Sequence, residues 1–88
     1  MPKVLNLTKY DDSGHGWLKV PIRTLEELEI EDQITSSSYE RGPNAYLEED
    51  QDMTTFMEAA EAKGWDVQVR TVNDGDRSKI RSYDSYVA

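Results

Sequence analysis

Residues 52–72, DMTTFMEAAEAKGWDVQVRTV, change periodicity halfway along, and that change sets the fold class. Met53, Phe56, Met57 and Ala60 fall at i, i+3, i+4 and i+7, the stripe that an α-helix buries on one face. Asp52 stands at the expected N-cap, where a carboxylate accepts from the first unpaired N–H groups. Lys63 falls in the last turn, and Gly64 suits the left-handed conformation that ends many helices. From Trp65 the period is two. Trp65, Val67 and Val69 point inward while Asp66, Gln68 and Arg70 point outward, which reads as a strand over 65–72.

Toward the C-terminus, Asn73-Asp74-Gly75-Asp76 is a turn signal. Residues 78–87 then read as a returning strand, with Ile80, Tyr83 and Val87 as its apolar contributors. Toward the N-terminus, Arg41-Gly42-Pro43-Asn44 divides residues 34–49 into a second hairpin. Thr24-Leu25-Glu26-Glu27 has the form of a capping box, with Thr24 bonding the N3 amide and Glu27 reaching back, and opens a helix over 24–30. Residues 3–10 and 17–22 alternate as strands, joined across a turn rich in Asp, Ser and Gly. Leu5 and Leu7 share a face, and Leu18, Val20 and Ile22 stand against Trp17 and Lys19. Pro21 cannot donate to a ladder, so its strand ends there or lies at an edge. The expected order is ββαββαββ over a single domain, residues 1–88. That is an α+β fold: a mostly antiparallel sheet of up to six strands with two helices on one face.

Composition narrows the setting. The 88 residues hold no cysteine, hence no disulfide framework and no thiolate metal site. No apolar run approaches the roughly 18 residues of a membrane span, and the first residues lack a secretory apolar stretch. A cytoplasmic protein without membrane partners is the expectation. Val, Ile, Leu and Phe make up about 19% of the chain, just under the roughly 20% line that accompanies disorder. Two tryptophans and five tyrosines shift the balance, since each aromatic buries about 150–250 Å². The core is thin, and a self-associating surface would add buried area, which admits a homodimer.

The charge is segregated. Of 18 acidic residues, twelve lie in 26–61, where Arg41 is the only base, so this third holds a net −11 against −8 for the whole chain. Such a segment either keeps the chain soluble or faces a basic partner.

Three stretches carry a likeness: 10–20 (YDDSGHGWLKV), 38–42 (SYERG) and 45–50 (AYLEED), with the tail 80–83 (IRSY). Together they resemble small uncharacterised acidic proteins of bacteriophages and mobile elements. The resemblance carries over no functional residue. It implies a context in which small acidic proteins bind and disable host machinery, as anti-CRISPR and other anti-defence proteins do.

Chemistry-bearing groups are sparse. His15, the only histidine, lies between two glycines beside Trp17, and reads as a turn residue or as an acid–base group on an exposed loop. Asp11, Asp12 and His15 offer a thin ligand set for a divalent ion. Residues 73–76 resemble the start of a calcium loop but lack the bidentate Glu. No nucleophile elbow, phosphate loop or dinucleotide fingerprint occurs. No enzyme, metal or cofactor is expected.

Two binding readings remain. In the first, an inhibitor of a host protein presents carboxylates as a nucleic-acid mimic, toward a partner with a basic nucleic-acid-binding surface. Its contact residues would be Glu48, Glu49, Asp50 and Asp52, with Tyr39, Arg41 and Tyr46 on the same hairpin. In the second, the C-terminal hairpin binds nucleic acid through Arg70, Arg77, Lys79 and Arg81 beside Tyr83. A metal-assisted enzyme around His15 is a third and weaker alternative.

Overall fold

The computed structural model describes residues 3–87. Its strands are β1 (Val4–Asp11), β2 (Gly16–Pro21), β3 (Tyr39–Arg41), β4 (Asn44–Glu48), β5 (Asp66–Asn73) and β6 (Asp84–Ser85). The helices are α1 (Ile22–Glu27) and α2 (Asp52–Ala62), with a 3-10 turn at Lys79–Ser82. The fold is α+β. One sheet runs β5-β1-β2-β4-β3-β6, with β1 and β5 parallel and the other four pairings antiparallel.

Local chemistry makes the hairpins. Asp12 Oδ1 accepts from the N–H groups of Gly14 and His15 and closes the β1–β2 turn. Gly16 lies opposite Asp11, and a Cβ there would stand 2.8 Å from Lys9 Nζ and 2.9 Å from Glu49 Oε2. A Cβ would push these side-chain ends aside, and with glycine there the Lys9 ammonium bridges Asp11 and Glu49 at 2.8 and 3.1 Å. Between β3 and β4 the turn is two residues, Gly42 at φ 57° and Pro43, with Arg41 opposite Asn44.

Strand alternation sorts side chains onto two faces. Leu18 and Val20 of β2 and Ala45 and Leu47 of β4 meet Leu25 of α1, Leu28 just past its end, and Phe56 and Ala60 of α2 in one core. Both helices therefore cover the same face. Full burial of Leu18, Leu25, Leu47 and Phe56 contributes about 1.5–3 kcal/mol each. The opposite face carries a second cluster of Trp17, Tyr46 and Ile80, flanked by Tyr10, Tyr39 and Tyr83.

Four expectations are corrected. Residues 78–87 do not fold back beside β5. The chain after β5 crosses the face opposite the helices, and β6 pairs with β3 at the far edge. Its anchors are long-range: Ser78 N–H donates to Asp12 and Ser13 Oγ donates to the Asp76 carbonyl. No capping box forms. α1 begins behind Pro21, with no side-chain cap bond, and Thr24 is buried inside the helix. The expected strand over 34–40 shrinks to β3, because Thr35 and Ser38 bond to the α2 terminus instead. Asp52 is not an N-cap. It is the first residue of α2 and is fully buried.

Candidate functional site

The register of the sheet lines up side chains across the face opposite the helices. Thr8 pairs with Lys19 and with Arg70, Lys19 with Tyr46, and Tyr46 with Tyr39. Tyr10 pairs with Trp17 in the next row. The crossing segment lays Lys79, Ile80 and Tyr83 over these rows. Between them lies a groove of about 460 Å³ lined by Tyr10, Tyr46, Tyr83, Lys19, Arg41 and Lys79, with Asp74 at its wall. That volume is in the range of sites that hold small ligands.

The rings are in mutual contact. Tyr46 and Tyr83 centroids lie 5.1 Å apart, and Tyr10 and Tyr46 6.5 Å apart. The Arg41 guanidinium stands 4.9 Å from the Tyr83 ring centre. Burial, then the neighbouring Tyr83 and Tyr10, push the Tyr46 phenol above its ordinary pKa, so it stays a protonated donor. Among the described residues Lys19, Arg41 and Lys79 form no ion pair, whereas Lys3, Lys9 and Arg81 do.

A buried clasp holds the crossing segment in place. Arg81 Nε and Nη2 donate to the two oxygens of Asp12 at 2.6 and 2.9 Å, and Ser78 N–H adds a bond at 2.9 Å. The Asp12 side chain is fully covered. Arg81, with the N–H groups of Ser78, Gly14 and His15, holds the carboxyl far below the usual carboxylate range despite burial. Arg81 also lies 5.3 Å from the Trp17 ring centre, so its charge is spent within the molecule.

The expected site residues thus separate. Arg41, Tyr46 and Lys79 meet in the groove. Tyr39 packs edge-on against Trp17, outside it. Arg70 and Arg77 are exposed, on β5 and on the crossing segment. The carboxylates of 48–52 do not gather into a water-facing patch. Glu48 accepts from the N–H groups of Asp50, Gln51 and Asp52 and caps α2. Glu49 is paired with Lys9, and Asp52 Oδ2 accepts from Thr35 and Ser38. Only Asp50 remains exposed. Tyr10 and Lys19 belong to the groove although neither was singled out from sequence. The usable signal is parity, since Lys19 shares the outer face with Trp17, and Trp17 pairs with Tyr10.

His15 is exposed, its ring 6.1 Å from Trp17. Its two neighbouring acids are taken, Asp11 by Lys9 and Asp12 by Arg81. Among the described residues no three His, Cys, Asp or Glu side chains gather where they could hold a metal ion. Among the same residues no helix is long and apolar enough to cross a membrane. A different set of acids does converge, on the helix side: Tyr86 donates to the Glu31 carbonyl at 2.6 Å. Burial first, then the carboxylates of Glu31, Glu40, Glu26 and Asp32, raise the pKa of that phenol. Comparison of the chain with protein-family models, with curated proteins and with solved structures finds no match.

Proposed function

We propose that the protein binds single-stranded nucleic acid in the groove opposite its helices. One observation carries this reading: three tyrosine rings and three cations without ion-pair partners among the described residues converge in one groove of a chain whose net charge is −8. The partly exposed rings of Tyr10 and Tyr83, backed by the buried Tyr46, offer stacking to bases, worth about 1–3 kcal/mol each, and the cations suit the phosphates between them. The acidic residues Glu26, Glu29, Asp32, Glu58 and Glu61 are exposed, and they lie on or beside the two helices, across the sheet. A helix layer is about 10 Å thick. That layer keeps these acids farther from a strand in the groove than the cations that line it, and Coulomb interactions weaken with distance, so the nearer cations dominate there.

Fluorescence anisotropy with labelled single-stranded RNA and DNA oligonucleotides tests the reading. Binding is expected at low salt, with a log–log salt slope of about −2 for three phosphate contacts. Arg41→Glu with Lys79→Glu abolishes it, while Arg23→Glu with Lys63→Glu, an equal change of charge elsewhere, leaves most of it. No binding by the wild type, or equal losses in both double variants, overturns the proposal.

The carboxylates around Tyr86 favour a second reading. An inhibitor presenting them as a nucleic-acid mimic would capture a basic host protein, the role that the likeness to phage and mobile-element proteins suggests. In this reading Glu26, Asp32 and Glu40 replace the 48–52 carboxylates as the contact surface. Nuclease-treated host lysate should then yield a basic protein on the wild type and not on Glu26→Lys with Asp32→Lys.

A further inference from the structure

β5 forms one edge of the sheet, pairing only with β1, and runs eight residues in unbroken register. Edge strands are ordinarily kept from pairing by short length, proline, bulges or inward charges. The opposite edge, β6, is two residues long. β5 is eight residues long with no proline and no bulge, and its only charges, Asp66 and Arg70, are of opposite sign. Asp66 N–H donates to the Lys3 carbonyl and Asp74 N–H to the Asp11 carbonyl. With a period of two, the even-numbered residues turn their backbone groups toward β1, and Val67, Val69 and Thr71 turn theirs outward. Val67 packs on the helix-side core, while Val69 stays 37% exposed, one of three large apolar side chains left so among the described residues.

We infer that a second copy of this chain pairs with β5, antiparallel, about a two-fold axis at Gln68. The strand's own composition selects that register. A symmetric pair sets the strands antiparallel. Residues with outward backbone groups must oppose one another, and directly opposed residues share a face. Centring on Arg70 would place it against the partner's Arg70, a like-charge contact. Centring on Val69 sets Arg70 against the partner's Gln68 and Asp66 against the partner's Val72. Centring on Gln68 sets Asp66 against the partner's Arg70 and Arg70 against the partner's Asp66. It also sets Val67 against the partner's Val69, twice over, in pairs that exchange both backbone bonds. The Asp66 carboxylate already accepts from Gln68 at 2.7 Å, which holds it over this end of the strand. The two sheets become one, and both grooves open on the same side. The pairing stands whatever the groove holds.

Sedimentation velocity over a concentration series tests it. The wild type is expected to dimerise. Arg70→Asp sets like charges opposite each other and weakens dimerisation about tenfold or more. Val69→Lys, at a side chain exposed in the monomer, does the same. Asp66→Arg with Arg70→Asp restores the wild-type dimer, which a merely misfolded variant could not do. Circular dichroism checks that each variant keeps its secondary structure. A monomeric wild type overturns the inference, as does a dimer indifferent to Arg70→Asp or a charge swap that fails to restore pairing.

Discussion

Asp12 accepts five hydrogen bonds, three at Oδ1 and two at Oδ2. Oδ1 closes the first turn through Gly14 and His15, and both oxygens receive Arg81 from the far end of the chain. The folded pKa lies well below the unfolded value of about 3.9, so the stabilisation is complete above the unfolded value and is lost progressively as pH falls from there toward the folded value. Asp12→Asn should therefore lower the Tm by several degrees at pH 7. The gap to the wild type should hold down to about pH 5 and shrink steadily below about pH 4, as thermal denaturation followed by circular dichroism would record. Asp52 is the other buried carboxylate. Replacing it by Ala strands the Thr35 and Ser38 donors and should cost roughly 2–4 kcal/mol in urea unfolding. Neither role is legible locally. A run such as 48–52 reads as solvated, and the groups that bury Asp52 lie 14 and 17 residues upstream. Arg81 lies 69 residues from Asp12.

The secondary elements are legible where periodicity is strong. The stripe of Met53, Phe56, Met57 and Ala60 emerges as the inner face of α2, with Gly64 at φ 74° just past its end. Leu18 and Val20 face the helices while Trp17 faces away, as their alternation requires. Pairing partners are another matter. The turn signal at 73–76 is genuine, yet a turn does not say where the next segment lands. Here the Asp12 clasp draws it across the sheet, and β5 pairs parallel with β1 instead. α1 departs from its expected bounds by a similar route. Its apparent capping box is superseded by Pro21, whose fixed φ of −58° starts the helix two residues earlier. Two residues past that helix Glu29 stands at φ 59°, a conformation costing most side chains about 1–2 kcal/mol. Glu29→Gly should raise stability by up to about 1 kcal/mol, measured as a higher urea midpoint with unchanged slope.

At the scale of the whole molecule, charge follows the layers of the fold. The acidic middle of the chain supplies α1 and α2 and the segments beside them, and exposes acids on the helix side. The two ends supply most of the face opposite: Tyr10 and Lys19 from the first hairpin, Lys79 and Tyr83 from the crossing segment, meeting Arg41 and Tyr46 of the middle. The segregation visible along the sequence thus becomes segregation across the sheet, and the carboxylates of 48–52 are left with structural duties. The most direct test is a ¹H–¹⁵N correlation titration of the protein with an unlabelled single-stranded oligonucleotide. Shifts concentrated on Tyr10, Lys19, Arg41, Tyr46, Lys79 and Tyr83, with Glu26 to Asp32 unmoved, are the predicted result. Shifts confined to the helix side, or none at saturating oligonucleotide, would contradict it.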